Sequence, residues 1–434
     1  MIQLKRIAVS SSPPISRGSL VVVLFLSLFL TATPVVSAAS LTGDSNTYVQ
    51  SRVDADRQKV LGAYEYLDLA VSDLGSESVS FHTGGWLRYD LKTDEFGHKT
   101  NNDVQYSYLS FRGKTDNTIV NLGRVMVFEG VAAERVDGAY ARTDLKGNIG
   151  VSAFAGAPVE TSDLELPGNN FIYGGRLSQQ VPGLYRIGIS ALKEEKDGND
   201  FRKVEGIDLW FSPVNKVELF GRSNYNAETK NWMDNTYYLA LGPFDKLRLN
   251  TQASWISYGD FFTGSTTSVF SFQPGVIDPN EKVRILGEEA VISLTDKLSI
   301  SLDYKGYTYD IAGPAKYYGG NVRYTGSAAY GSGISVHTMQ GDVDRLKYEE
   351  YRLYSYHKMG KTDIVFDLLD VKYNTAINDV KDAYSFTVAA QYALTEKLKV
   401  GVDAEYSKNP DFDKDVRVFF KANYHFDLGQ KGGA

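Results

Sequence analysis

The chain has 434 residues, 13% of them aromatic, with 40 glycines, 12 prolines and no cysteine. Lack of cysteine excludes a disulfide-stapled scaffold, a thiolate metal site and c-type haem attachment within this chain. The formal net charge is −7, and no basic tail or patch accompanies it, which speaks against nucleic acid as a partner.

The N-terminal region reads as an export signal. Lys5, Arg6 and Arg17 precede the first acid, Asp44. The apolar run at 20–30 is short of the ~20 residues that a spanning helix needs, which disfavours a membrane anchor. Val36 and Ala38 suit cleavage after residue 38, so residues 1–38 are expected to be a signal peptide. The length of the basic region allows a true start downstream of Met1. Removing the three basic residues leaves 43 against 53 acids, a net charge of −10. No apolar run in the rest approaches 18 residues, so no transmembrane helix is expected.

From about Val79 to Phe426 the chain alternates two-faced segments with turns, without a linker or a shift in composition. Residues 39–75 are expected to form an N-terminal periplasmic or lumenal segment, and 76–434 the barrel. In 247–255, Leu247, Leu249, Thr251, Ala253 and Trp255 oppose Lys246, Arg248, Asn250, Gln252 and Ser254. Leu298, Ile300, Leu302 and Tyr304 oppose Ser299, Ser301, Asp303 and Lys305. The segments 384–394 and 398–406 repeat the pattern. In the last, Val416, Val418, Phe420, Ala422, Tyr424 and Phe426 oppose Arg417, Phe419, Lys421, Asn423 and His425. A strand sends alternate residues to opposite sides, so each segment has an apolar and a polar face, with aromatics at the apolar ends.

Connections alternate in length. Short ones lie at 212–215, 243–245, 295–296, 360 and 395–396; long, polar ones lie at 195–201, 259–281, 310–317, 374–382 and 408–414. Outer-membrane barrels put short turns in the periplasm and long loops outside. The fold expected is all-β, a single transmembrane antiparallel barrel of about 20 strands, range 18–22. The upper limit applies if Tyr66–Val71 and a segment near Tyr48–Val53 both join the wall. Leu249, Trp255, Leu302, Val402 and Tyr424 should face lipid. Strand phase turns Arg88, Arg222, Arg248, Asp303, Lys305, Arg323, Arg352, Asp403 and Lys421 to the interior, where charge avoids hydrocarbon. Both signs are present, so ion selectivity does not follow.

The segment 121–145 departs from the rhythm. Its connection, 126–135, belongs to the long-loop side yet is apolar in the middle. Folded into the lumen, it would hold Phe128 and Val131 against the wall. Arg124, Glu129, Glu134, Arg135, Asp137 and Arg142 would then aim charge across a constriction, where opposed charges screen polar solutes.

Catalytic signals are nearly absent. His82, His98, His337, His357 and His425 are scattered without ligand spacing, and no nucleophile elbow, phosphate loop or dinucleotide fingerprint occurs. Acid-rich stretches at 197–200 and 411–415 suit solvated loops better than calcium. No cofactor and no enzymatic activity are expected. The alternatives are a barrel-based outer-membrane enzyme and a soluble secreted β-rich binding protein.

Residues 64–68, Ser80-Phe81-His82, 84–91, Leu122-Gly123-Arg124 and Val136-Asp137-Gly138-Ala139 resemble the outer-membrane porin family of metal-reducing delta-proteobacteria. The resemblance covers nearly the whole mature chain in organisation and is specific within 64–145. It implies a bacterial outer-membrane location, a lipid-embedded pore for small solutes, or a sheath for multihaem c-type cytochromes in extracellular electron transfer. Any haem would belong to those partners.

Overall fold

Strand alternation closes on itself. The computed structural model describes residues 39–428 apart from 54–58, 93–98, 160–169, 263–277 and 279. The proposed signal at 1–38 and much of the 259–281 connection lie outside the described residues.

Twenty-two antiparallel strands form the wall: β1 (Ser40–Val53), β2 (Lys59–Ser72), β3 (Val79–Asp90), β4 (Thr100–Arg112), β5 (Thr118–Glu129), β6 (Ala132–Leu145), β7 (Ile149–Pro158), β8 (Phe171–Val181), β9 (Tyr185–Lys196), β10 (Asn199–Val214) and β11 (Val217–Asn226). The second half holds β12 (Asn231–Phe244), β13 (Leu247–Ser257), β14 (Lys282–Ser293), β15 (Leu298–Tyr309), β16 (Gly313–Ser327), β17 (Tyr330–Gly341), β18 (Lys347–Met359), β19 (Thr362–Ile377), β20 (Val380–Ala393), β21 (Leu398–Asn409) and β22 (Phe412–Asp427). Each strand pairs with its neighbours in sequence, and β1 pairs with β22 from Thr42↔Asp427 to Ser51↔Val418. Closure removes the sheet edge and pairs the backbone, as a wall in hydrocarbon requires. No helix among the described residues is long and apolar enough to cross a membrane.

The strand number is the upper limit of the sequence expectation, and the extra pair corrects the domain boundary. Residues 39–75 are not a separate segment: β1 and β2 complete the wall. The sequence hides them because the outward face of β1 carries Gly43, Ser45 and Thr47 instead of large apolar residues. Ser45 and Thr47 both donate, at 2.6 Å, to the carboxylate of Glu65, which lies on the same outer face of β2. A strand whose outer face is small and hydroxylated loses the apolar half of the two-residue period.

Elsewhere large apolar residues recur along the outer face. Leu286, Leu302 and Phe420 are about 60% exposed, at 60%, 58% and 59%. Leu249, Trp255, Val402 and Tyr424 share that face. A soluble β-protein would bury such residues against another layer. The inner face carries hydrogen-bonded charge, including Lys421–Asp403 at 2.7 Å and Asp303–His337 at 2.8 Å. Labelling reads this difference directly. Lys305→Cys is expected to react with a water-soluble maleimide in the membrane-embedded barrel, and Leu302→Cys to be protected. The reverse pattern would mean a one-residue slip in β15, which inverts the whole strand.

Candidate functional site: a β-ribbon inside the barrel

The connection at 126–135 is a ribbon rather than a loop. β5 and β6 pair with each other without interruption from Thr118↔Thr143 to Glu129↔Ala132. Only the turn residues Gly130 and Val131 lie between them, Gly130 having φ of +60°, a value suited to a tight hairpin turn. The wall pairings end earlier. β5 leaves β4 at Ser107↔Arg124, and β6 leaves β7 at Val136↔Pro158. Beyond these points the ribbon departs from the wall.

Glycines permit the departure. Gly123 has φ of +131°, and a Cβ there would sit 2.4 Å from the Ser107 carbonyl oxygen. A Cβ on Gly138 would sit 2.1 Å from the Ala155 carbonyl oxygen. Backbones therefore approach at the bend more closely than any side chain allows.

The ribbon packs its inner face on the inner surface of β7–β10. Val125, Val127, Ala132 and Val136 of the ribbon meet Phe154, Ile172, Leu192 and Val204 of the wall in one buried cluster. Each of these side chains is at most 5% exposed. Burying a side chain of valine size contributes about 1.5–3 kcal/mol, so the cluster is a substantial anchor. At the tip, the Val131 amide donates to Ser190 Oγ at 3.0 Å. A Cβ on Gly130 would collide with that serine, and Val131 Cγ1 lies 2.3 Å from where a Cβ on Gly206 would be.

Charge secures the same face. Glu129 is 7% exposed and accepts from the Tyr140 hydroxyl at 2.6 Å. Arg142 and Arg176 stand 3.6 and 3.8 Å from its carboxylate, and Arg176 also binds Asp208 at 2.6 Å. Arg202 bridges Glu134 and Glu194, both at 2.9 Å. On the opposite face Arg124 forms a two-pronged pair with Asp137 at 2.7 and 2.8 Å. Arg124 also donates to the Val104 carbonyl at 3.0 Å, while Arg135 pairs with Asp103. These two arginines reach the stretch of β4 that has lost its neighbour.

Two details depart from the sequence expectation. Phe128 is not held against the wall: it is 71% exposed, on the same ribbon face as Met126. Period 2 decides this, because Val125, Val127 and Glu129 take the wall and the even positions turn away. The ribbon charges, moreover, are not aimed freely across the lumen; each of the six has an ionic partner on the wall or ribbon. Reasoning from sequence missed the wall partners Asp103, Arg176 and Arg202, the acids Asp208 and Glu194 that hold those two arginines, and Ser190 at the tip. Their inward strand phase was a readable signal, but their convergence on one ribbon was not.

The remaining interior charges are spread around the wall. Arg88 pairs with Asp90 at 2.7 Å and lies over the Tyr64 ring. Arg222 pairs with Asp234 at 3.2 Å, Arg352 with Asp367 at 2.5 Å, and Arg248 with the side chain of Asn250 at 3.1 Å. Lys305 lies along Gly287, and Arg323 aligns with Ser299 and Gly333. None of these joins the ribbon cluster. Among the described residues no group of three acids or histidines is placed to hold a metal ion.

No family model and no curated protein matches the chain. Solved barrels do. A mutant ferric enterobactin receptor of Pseudomonas aeruginosa superposes with a TM-score of 0.55 at 9% identity, covering 88% of this chain and 80% of that one. The outer membrane protein OpdK of the same organism gives 0.44 at 9% identity, over 90% of this chain and 99% of that one. OccAB4 of Acinetobacter baumannii gives 0.44 at 10% identity with the same two coverages, 90% and 99%. The chain is a transmembrane β-barrel of the outer-membrane type. At these identities the likeness is one of fold, and the arrangement of the ribbon must speak for itself.

Proposed function

We propose that the chain is a passive, non-enzymatic outer-membrane pore for small hydrophilic solutes, narrowed by the β5–β6 ribbon. The observation that carries this reading is the clamping of the ribbon onto β7–β10 through one apolar cluster and a set of ion pairs. A barrel of 22 strands encloses a wide lumen, and an internal element is one way to keep such a lumen selective. Arg124, Glu129, Glu134, Arg135, Asp137 and Arg142 set the field at this narrowing, with their charges held in place by partners.

The same observation favours a pore over a sheath for a multihaem cytochrome. A folded protein inside the barrel needs the space that the ribbon takes. Purified, haem-free chain reconstituted in a planar bilayer is expected to conduct ions steadily by itself. Absence of conductance, together with haem staining of the complex isolated from membranes, would replace this reading with the conduit.

A further inference from the structure

The wall across the lumen from the ribbon has a different chemistry. Counting from β8 to β17, it lies nine strands away in a ring of 22. The inward positions of β18 are Tyr348, Glu350, Arg352, Tyr354 and Tyr356, an alternate file from the long-loop end to the short-turn end. The facing positions of β17 include Gly331 and Gly333. Ring atoms of Tyr356 and Tyr354 lie 2.5 Å from where Cβ atoms on those glycines would be. The two rings therefore pack against the glycine positions of β17, where no other residue type leaves room for them. Near the long-loop end Tyr317 stacks on His337 at 4.9 Å and 7°, and its hydroxyl reaches Glu350 at 3.4 Å.

Charge on this wall is balanced. Asp303, Glu350, Asp363 and Asp367 share the inner face of β15–β19 with Lys305, Arg323, Arg352 and Lys358. Arg352 both holds Asp367 and lies 5.7 Å over the Tyr354 ring. A solute with net charge gains nothing from a balanced wall. A solute with apolar ring faces and a rim of hydroxyls gains twice. Its C–H faces meet the electron-rich faces of the rings, and its hydroxyls meet carboxylate and guanidinium groups beside them.

We propose that the inner face of β15–β18 is a binding track for neutral oligosaccharides. The proposal rests on the pore reading for its transport role but not for binding. Maltohexaose serves as the probe, added to the purified full chain in a planar bilayer and titrated calorimetrically against the detergent-solubilised barrel. Concentration-dependent block of the ion current is expected, together with saturable binding. In the double variant Tyr354→Ala, Tyr356→Ala both should weaken by about tenfold or more. The double variant to Phe, which keeps the rings and their fit on the glycines, should retain both. Loss in the alanine variant with retention in the phenylalanine variant separates stacking from general damage. A conducting channel that maltohexaose neither blocks nor binds overturns the proposal and leaves the pore. Block by benzoate or tetraethylammonium but not by maltohexaose overturns it in favour of a charged solute. Sugar binding without any ion conductance supports the track and removes the pore.

Discussion

Replacing residues 125–136 with Asn-Gly is expected to raise single-channel conductance on the order of twofold. The replacement is geometrically mild at the wall. Arg124 and Asp137 are direct cross-strand partners, so a two-residue turn joins them where the ribbon now begins. Their two-pronged ion pair is retained. The excision removes Val125, Val127, Ala132 and Val136 from the buried cluster and leaves Phe154, Ile172, Leu192 and Val204 facing water. Stability should fall, because each large side chain uncovered costs about 1.5–3 kcal/mol, but the closed wall does not depend on these contacts. Conductance equal to that of the native chain, with the barrel intact, would place the ribbon outside the conduction path.

Gly138→Val is expected to prevent assembly of the barrel. The new Cβ would stand 2.1 Å from the Ala155 carbonyl oxygen and 2.7 Å from the Gly156 Cα. Both are backbone atoms, so no flexible side-chain end can move away. Either β6 separates from β7 or the bend is lost, at a cost above about 3 kcal/mol. The folded, heat-modifiable band of the protein should disappear from outer-membrane fractions. Gly75→Ala is the control: φ is +72° there, yet nothing lies within 4 Å of the added carbon, so the cost is about 1 kcal/mol. Native-level assembly of Gly138→Val would contradict the close approach of β6 and β7.

Much of the wall could be read from sequence because lipid imposes period 2 on it. Leu302 and Lys305 take opposite faces for that reason, and so do Val402 and Asp403. The pattern failed where lipid's demand is relaxed. β1 meets the outside with Gly43, Ser45 and Thr47, and so lacks the continuous apolar file that marks a wall strand in sequence. The inward fold of 126–135 could be suspected from its apolar middle, but its form could not. Alternation there matches that of a wall strand, and only the missing pairing with β4 and β7 distinguishes a ribbon. The motif residues Leu122-Gly123-Arg124 and Val136-Asp137-Gly138-Ala139 turned out to mark the bend and its ion pair. Tyrosine was the least legible residue. Its rings suit the lipid interface, as at Tyr424, and equally suit a wet lumen, as at Tyr64, Tyr106 and Tyr354. Only the partner on the neighbouring strand decides between them.

The position of the ribbon can be tested by one cross-link. The native chain has no cysteine, so Val131→Cys with Gly206→Cys introduces a single possible intramolecular disulfide. Val131 Cγ1 lies 2.3 Å from the position of a Cβ on Gly206, so the two positions are in direct contact and their Cβ atoms stand no more than about 4 Å apart, close enough for two thiols to meet. Mild oxidation of the folded barrel in membranes should consume both thiols, so that maleimide labels neither until a reductant is added. If both thiols still react with maleimide after oxidation of a folded barrel, the ribbon tip is not on β10 and the lumen is not narrowed in this way.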